Sequence, residues 1–325
     1  MTNIRSEELT EICRRALERA GADSSAAEIL AKATVEAELV GNRAVGVAHL
    51  FDYLDGYRSG RIATNVQPRI HRSAPAVIDV DASNGLAQTA FEAALADLLE
   101  AAREAGIAAL WIRRSYTCGE LGYYARRLAQ EGFIAMASAN SPALMSIGGS
   151  PQPVLGTNPL AYGIPRPGKM PFVIDQASSS TAYVNIKRAA EKDEPIPAGW
   201  ALARNGEPTQ NASEALQGTL LPFGGHRGGN VALLMEVLAT LSGATFSIDA
   251  APFDHGAVSP GIGVFLLAID PARFTGSVDR IGKQLEYLRD EHQVRLPALE
   301  LTALPDHVEV DDNALLRLRK AAEAA

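Results

Sequence analysis

The feature that most constrains this chain lies between Leu86 and Ile269, where short apolar segments alternate with helical stretches that end on glycine. Phe91, Leu95, Leu98 and Ala102 recur at helical spacing up to Gly106, and the apolar run IAALWI follows. ELGYYARRLAQEG returns to helix and stops at Gly132, before the strand-like FIAMAS. FVID and GVFLLAID have the same buried-strand character, and NVALLMEVLATLSG reads as an apolar helix closing on Gly243. This alternation predicts an α/β fold around a largely buried sheet.

The flanks are more helical. The first forty residues read as two helices, the first stopped by Gly21, the second opened by a capping box in which Ser25 caps and Glu28 reaches back. GNRAVGVAHL, Gly41 to Leu50, reads as a loop, and FDYLDGYRSGRI offers a further helical turn or two. AVIDVDASNG looks like a strand entering a polar turn. The Gly- and Pro-rich middle, from NSPALMSIGG onward, is either a functional loop or a cover over the sheet edge.

Composition removes several function classes. With 325 residues, 47% hydrophobic and 21% charged, the chain is an ordinary globular protein with room for a sizeable core. No apolar run reaches the roughly 18 to 20 residues of a membrane span, and the N-terminal stretch lacks the order of a signal peptide, so a cytoplasmic location is expected. Net charge is −8 and the basic residues are scattered, which argues for a small-molecule partner over nucleic acid. Cys13 and Cys118 are too few for a disulfide framework, the histidines form no HxH or HExxH pair, and no metal is expected.

There is no GxGxxG after a strand and no Walker motif, so a nucleotide would have to be held in another way. LGTNP, Leu155 to Pro159, gathers a glycine, a hydroxyl and an amide. PFGGHRGGNVALLMEVL runs a glycine-rich loop with His226 and Arg227 into a helix, whose first N–H groups and the guanidinium suit an anion such as pyrophosphate.

Taken in order, VDASNGLAQ, AREAGIAALWIRRSYTCGELGYYA, SANSPALMSIGG, LGTNPLAYGIP, FVIDQASSSTA, IPAGWAL, LLPFGGHRGG and LLMEVLATLSGA resemble the type 2 malate/L-lactate dehydrogenase family over almost the whole chain. That family includes ureidoglycolate and sulfolactate dehydrogenases and the reductases of Δ1-pyrroline-2-carboxylate and Δ1-piperideine-2-carboxylate. The resemblance implies a homodimeric oxidoreductase using NADPH or NADH, with a non-Rossmann α/β fold built on a mixed sheet and a site between two domains. The division expected is a helical, substrate-side part, 1–75 with 275–325, closing on a cofactor-binding part, 76–274. Cofactor contacts would fall on Ser141, Thr157, Asn158, Asp175, Gln176, Ala177, His226, Arg227 and Gly228, with Arg227 standing where the family has lysine.

The departures from the family sit at the catalytic end. Its opening loop carries Ser-His-Gly and then an arginine; here those positions read Ala44, Val45, Gly46 and His49. The relay aspartate of the imine reductases aligns with Asn185, and the histidine of NSxHxG with Thr117. Four concerted changes beside intact cofactor motifs indicate changed chemistry rather than decay. A ketone reductase would miss its acid, which typically contributes about 10²- to 10⁴-fold. A protonated cyclic imine accepts hydride directly and needs no donor at that step, and a cationic substrate disfavours a nearby imidazolium.

The leading expectation is therefore reduction of a cyclic 2-imino acid to proline or pipecolate. The alternatives are a 2-hydroxy-acid or ureidoglycolate-type dehydrogenase using Thr117 or His49 with a water, and a silent dinucleotide-binding protein. His49 is either a carboxylate partner or a packing residue. Tyr116 and Thr117 offer hydroxyls, Cys118 reads as inert packing, and Tyr53 as packing with a solvated hydroxyl.

Overall fold

The computed structural model describes residues 1–323. The chain opens with β1 (Thr2–Arg5), α1 (Ser6–Ala20) and α2 (Ser24–Leu39), then a 3₁₀ turn (Arg43–Val45) and α3 (Val47–Arg58). Gly21 stops α1 with φ 113°, as the sequence predicts. The cap of α2 is a correction: Asp23, not Ser25, occupies the N-cap and its carboxylate accepts from Ala26 N–H at 3.0 Å. Asp23 is the last extended residue, so its acceptor meets the third N–H of the helix, whereas Ser25 is already inside it. The expected loop at 41–50 is also shorter than predicted, because α3 begins at Val47 and carries His49 on its first turn.

The middle of the chain builds the sheet. β2 (Arg69–Ala74), β3 (Val77–Asp81), α4 (Ala87–Ala105), β4 (Ile107–Ser115), α5 (Leu121–Gln130), β5 (Ile134–Ala139), β6 (Leu160–Ile164) and β7 (Phe172–Gln176) follow one another. After α6 (Tyr183–Glu191) come the short strands β8 (Ala201–Leu202) and β9 (Pro208–Thr209), the short helix α7 (Ala212–Leu216), and β10 (Thr219–Leu220). The last sheet strand, β11 (Ile262–Ile269), follows α8 (His226–Thr240). The chain closes with α9 (Val278–Asp290), β12 (His307–Val310) and α10 (Asp312–Glu323).

The large sheet has seven strands in the order β2-β3-β4-β11-β5-β6-β7. Only β3 and β4 run parallel, and the other neighbours are antiparallel. This is a mixed sheet, without the succession of parallel βαβ units that makes a Rossmann fold. Ile78, Val80, Leu110, Ile112, Ala135, Ala137, Val264 and Leu266 point to one face, where Phe91, Leu95 and Leu98 of α4 and Tyr124 and Leu128 of α5 bury them. The alternate residues Trp111 and Phe265 face α8, and the Trp111 indole donates to Leu238 O at 2.9 Å. Covered on both faces, these strands need no polar alternation, which explains their continuous apolar runs.

A second core joins the two ends of the chain. β1 pairs antiparallel with β12, and Leu9, Ile12, Leu17, Leu30, Val47, Leu50 and Tyr53 pack with Leu315 and Leu318. A third, smaller core forms around β8, β9 and β10. Among the described residues no helix is long and apolar enough to cross a membrane.

Candidate active site

The residues expected to hold a cofactor converge on one strip of backbone. Gly156 packs so closely on Ser141 that a β-carbon there would lie 2.2 Å from its Oγ. Thr157 O accepts from Ser178 N–H at 2.7 Å, Ser178 O accepts from Phe223 N–H at 3.0 Å, and Phe223 O lies 2.0 Å from where a Gly228 β-carbon would stand. Ser141, Thr157, Ala177, His226, Arg227 and Gly228 are thus brought together from three separate loops. Gly225, at φ 64° and ψ −128°, turns the chain into α8 in a conformation reserved for glycine, and it has no side chain to cap the helix. The first-turn N–H groups and the exposed His226 and Arg227 are left for an anion.

Asn158 is used differently from its neighbours. Wholly buried, it donates to Glu236 Oε2 at 2.8 Å and Ala232 O at 3.1 Å, while its own carbonyl accepts from Ser178 Oγ at 2.7 Å. Its side chain therefore ties the LGTNP loop to α8. Ser141 Oγ is buried and has no hydrogen-bond partner among the described residues. An orphaned hydroxyl at the lip of this strip fits a dinucleotide, which has amide, hydroxyl and phosphate groups to offer.

Asp175 links this strip to the opening loop. It is the penultimate residue of β7, and its Oδ2 accepts from Gly122 N–H at 2.9 Å and from Asn42 Nδ2 at 3.4 Å. Burial holds its carboxyl above the ordinary range, with the backbone N–H groups of Gly122 and Leu121 and the Arg126 charge opposing. Gln176 beside it is exposed.

Behind Asp175 lies an ionic cluster that the sequence did not reveal. The guanidinium of Arg126, 2% exposed, donates to Glu36 at 2.6 Å and to both oxygens of Glu120 at 2.9 and 2.7 Å. Burial raises the Glu120 carboxyl to about 7, with Asp175 and Glu36 adding repulsion and Arg126 opposing.

Ala44 and Val45 occupy the 3₁₀ turn and offer no titratable atom. Beneath them Glu38 is buried and accepts from Val47 N–H at 2.7 Å, and a β-carbon at Gly46 would fall 2.3 Å from Glu38 Oε1. Burial raises the Glu38 carboxyl as well, with the Val47 bond and the charges of Arg43 and Arg188 pulling the other way. This carboxyl is spent on holding the turn.

Two of the predicted catalytic residues do meet. His49 Nε2 lies 3.2 Å from Thr117 Oγ1, and His49 Nδ1 lies 2.7 Å from Asp52 Oδ2, one helical turn along α3. Thr117 Oγ1 is 2.6 Å from the Tyr53 hydroxyl, which in turn accepts from Gln88 Nε2 at 3.2 Å. Tyr53 is only 2% exposed, which corrects the expectation of a solvated hydroxyl: helix α3 turns it inward against Tyr116, and burial pushes its ionisation well up. The Tyr116 hydroxyl donates to Phe253 O at 2.5 Å, holding that loop edge-on to His49. Asn185 stands on α6 and donates to Thr181 Oγ1 at 3.1 Å, outside this network. The Cys118 thiol is pushed up to about 12 by burial, in keeping with inert packing.

The comparisons with known proteins decide the family. A model of malate/L-lactate dehydrogenase matches residues 4–300. The chain belongs to the malate/L-lactate dehydrogenase family. Among its relatives, a (2R)-3-sulfolactate dehydrogenase (NADP(+)) of Chromohalobacter salexigens is 36% identical over 94% of this chain and 91% of its own length. A Δ1-pyrroline-2-carboxylate/Δ1-piperideine-2-carboxylate reductase of Pseudomonas aeruginosa is also 36% identical, over 85% of this chain and 84% of its own. The crystal structure of the Δ1-piperideine-2-carboxylate reductase of Pseudomonas syringae pv. tomato superposes with a TM-score of 0.91 at 31% identity, covering 99% of this chain and 100% of that one. The non-Rossmann α/β fold expected of the family is the one observed.

Asp52, Gln88, Glu38 and the Glu120–Arg126 pair escaped the reading of the sequence. Asp52 alone had a local signal, since it stands three residues after His49 on a helix and so shares its face.

Proposed function

We propose that this protein is an NAD(P)H-dependent oxidoreductase that reduces a cyclic 2-imino acid, Δ1-pyrroline-2-carboxylate or Δ1-piperideine-2-carboxylate, to proline or pipecolate. The observation that carries this reading is a turn without a free acid, beside the converging loops to which we assign the cofactor. Ala44 and Val45 carry none, Glu38 is engaged by Val47 N–H, and both nitrogens of His49 are taken up by Asp52 and Thr117. A bound nicotinamide supplies the hydride. Ser141, Thr157, Gln176, Ala177, Arg227 and the N–H groups from His226 to Gly228 would hold its dinucleotide, with Asn158 and Asp175 fixing the loops that present them. The substrate's C2 gains the hydride and the C=N π pair settles on nitrogen, which already bears its proton. No side chain has to protonate a developing alkoxide.

The same reading places the protein in the cytoplasm as a homodimer, with 1–75 and 275–325 closing on 76–274 and with no nucleic-acid partner. Support for a second copy comes from α8, whose Leu233, Leu234 and Val237 are about half exposed and continue into the exposed Leu241, Phe246 and Ile248. Oxidation of NADPH and NADH by the purified protein, followed with both imines and with pyruvate, oxaloacetate and other 2-oxo acids, tests the function. The imines should give the highest kcat/KM. Preference for a 2-oxo acid would return the protein to the hydroxy-acid dehydrogenases, and cofactor binding without turnover would make it a silent dinucleotide-binding protein.

A further inference from the structure

We infer that Asp52 is a specificity-determining residue that acts through His49 to fix Thr117 as a hydrogen-bond acceptor, matching the N–H of a protonated imine and mismatching a 2-oxo acid. The inference rests on the imine-reductase reading and adds residues to it. It follows from the direction in which protons must point along the chain Gln88–Tyr53–Thr117–His49–Asp52.

Both ends of that chain are fixed. At one end the same Gln88 Nε2 that reaches Tyr53 also lies 3.0 Å from Cys118 O. A carbonyl can only accept, so the amide must present its NH2 here, and Gln88 Oε1 is left without a partner among the described residues. At the other end the Asp52 carboxylate, 2.7 Å from His49 Nδ1, can only accept. A neutral His49 therefore carries its proton on Nδ1 and offers a lone pair at Nε2.

With the neutral ring Thr117 must donate to Nε2, and this sets the middle of the chain. Tyr53 accepts from Gln88 and turns its proton to Thr117, 2.6 Å away. Thr117 accepts from Tyr53 and turns its proton to His49 Nε2, 3.2 Å away. What Thr117 has left is one lone pair. It keeps 9% of its surface open and occupies the position of the family's second histidine. An iminium N–H can donate to that lone pair. A ketone oxygen needs a donor there and meets an acceptor.

Exchanging Asp52 for an amide releases the constraint. Asparagine can donate to Nδ1, which lets the proton move to Nε2; His49 then donates to Thr117, whose own proton becomes free for a carbonyl. Glutamate keeps an acceptor-only end. Because Asp52 side chains are 35% exposed at the helix surface, either change should fold.

The test has two arms. In 15N-labelled protein, with Nδ1 and Nε2 assigned for His49 by comparison with H49Q, the wild type should show the Nδ1–H tautomer; an Nε2–H tautomer overturns the inference whatever the activity. In steady-state assays, D52N should lower the ratio of imine to 2-oxo-acid kcat/KM by about tenfold or more, the scale of one mismatched buried hydrogen bond, while D52E retains it. Imine turnover in the wild type with an unchanged ratio in D52N refutes the role of Asp52 and leaves the function standing. No imine turnover in the wild type refutes the function itself, and the tautomer measurement still reports on the chain of bonds.

Discussion

Removing the Arg126 guanidinium should destabilise the protein strongly at alkaline pH and less at acid pH. Arg126 lies at 2% exposure between Glu36 and Glu120, which are 16% and 4% exposed, and makes a 2.6 Å bond to the first and bonds of 2.9 and 2.7 Å to the second. Arg126→Met keeps much of the volume and leaves two carboxylates, with Asp175 nearby, facing a low-dielectric interior. Stripping one partner from a buried pair costs about 3–5 kcal/mol.

The pH dependence follows from Glu120, whose carboxyl stands at about 7 against 4.5 for the ordinary group. Between those values the folded state holds a proton that the unfolded state has released, so this group's contribution to stability is full below pH 4.5 and is lost as pH rises through 7. At about 1.4 kcal/mol per unit, the loss is of order 3 kcal/mol. Without Arg126 the carboxyl rises further and the loss grows. At pH 5 Glu120 is already neutral in both proteins, and Arg126→Met should cost at least about 1 kcal/mol less there than at pH 8. Urea unfolding followed by the fluorescence of Trp111, packed against α8, measures both values. A second substitution, Glu120→Gln, should recover part of the loss at pH 8, since a neutral amide needs no counter-charge. Equal costs at the two pH values, or a cost below about 1 kcal/mol at both, would refute the account of the cluster.

Other consequences are open to simpler tests. Arg227→Ala should raise the KM for NAD(P)H by about tenfold with little change in kcat, because it removes a charge-assisted contact from the start of α8 and leaves the reacting end alone; titration calorimetry checks it. Gly228→Ala should lose both cofactor binding and soluble expression, since its β-carbon would lie 2.0 Å from Phe223 O and force α8 off the loop. Replacing Leu234 and Val237 together by aspartate should convert a dimer to a monomer in light scattering, whereas a monomeric wild type would remove the second copy from the proposal. Val45→His with Ala44→Ser should gain 2-oxo-acid reduction without weakening cofactor binding if the turn selects the substrate, and steady-state kinetics reports it.

The candidate site was legible in part. The motifs singled out the residues of the proposed cofactor strip, and the structure brings Ser141, Thr157, Ala177 and Gly228 close together through Gly156, Ser178 and Phe223. Ala44 and Val45 could be read as missing an acid from their residue types alone. His49 and Thr117 were singled out separately, 68 positions apart, and nothing in either stretch announced that their side chains touch. Glu36 and Arg126, 90 positions apart, gave no sign at all.

What the sequence by itself determined is local. Glycines at 21, 106 and 132 end their helices because each takes a positive φ that other residues resist, and the β4, β5 and β11 segments are strands because apolar runs of that length need cover on both faces. Tertiary structure decided the rest: the pairing of β1 with β12, the parallel pairing of β3 with β4, the choice of Asp23 over Ser25 as a cap, and the meeting of His49 with Asp52 and Thr117. Periodicity and propensity act over a few residues, whereas a buried donor or charge finds its partner only when the packed core has set which distant backbones lie side by side.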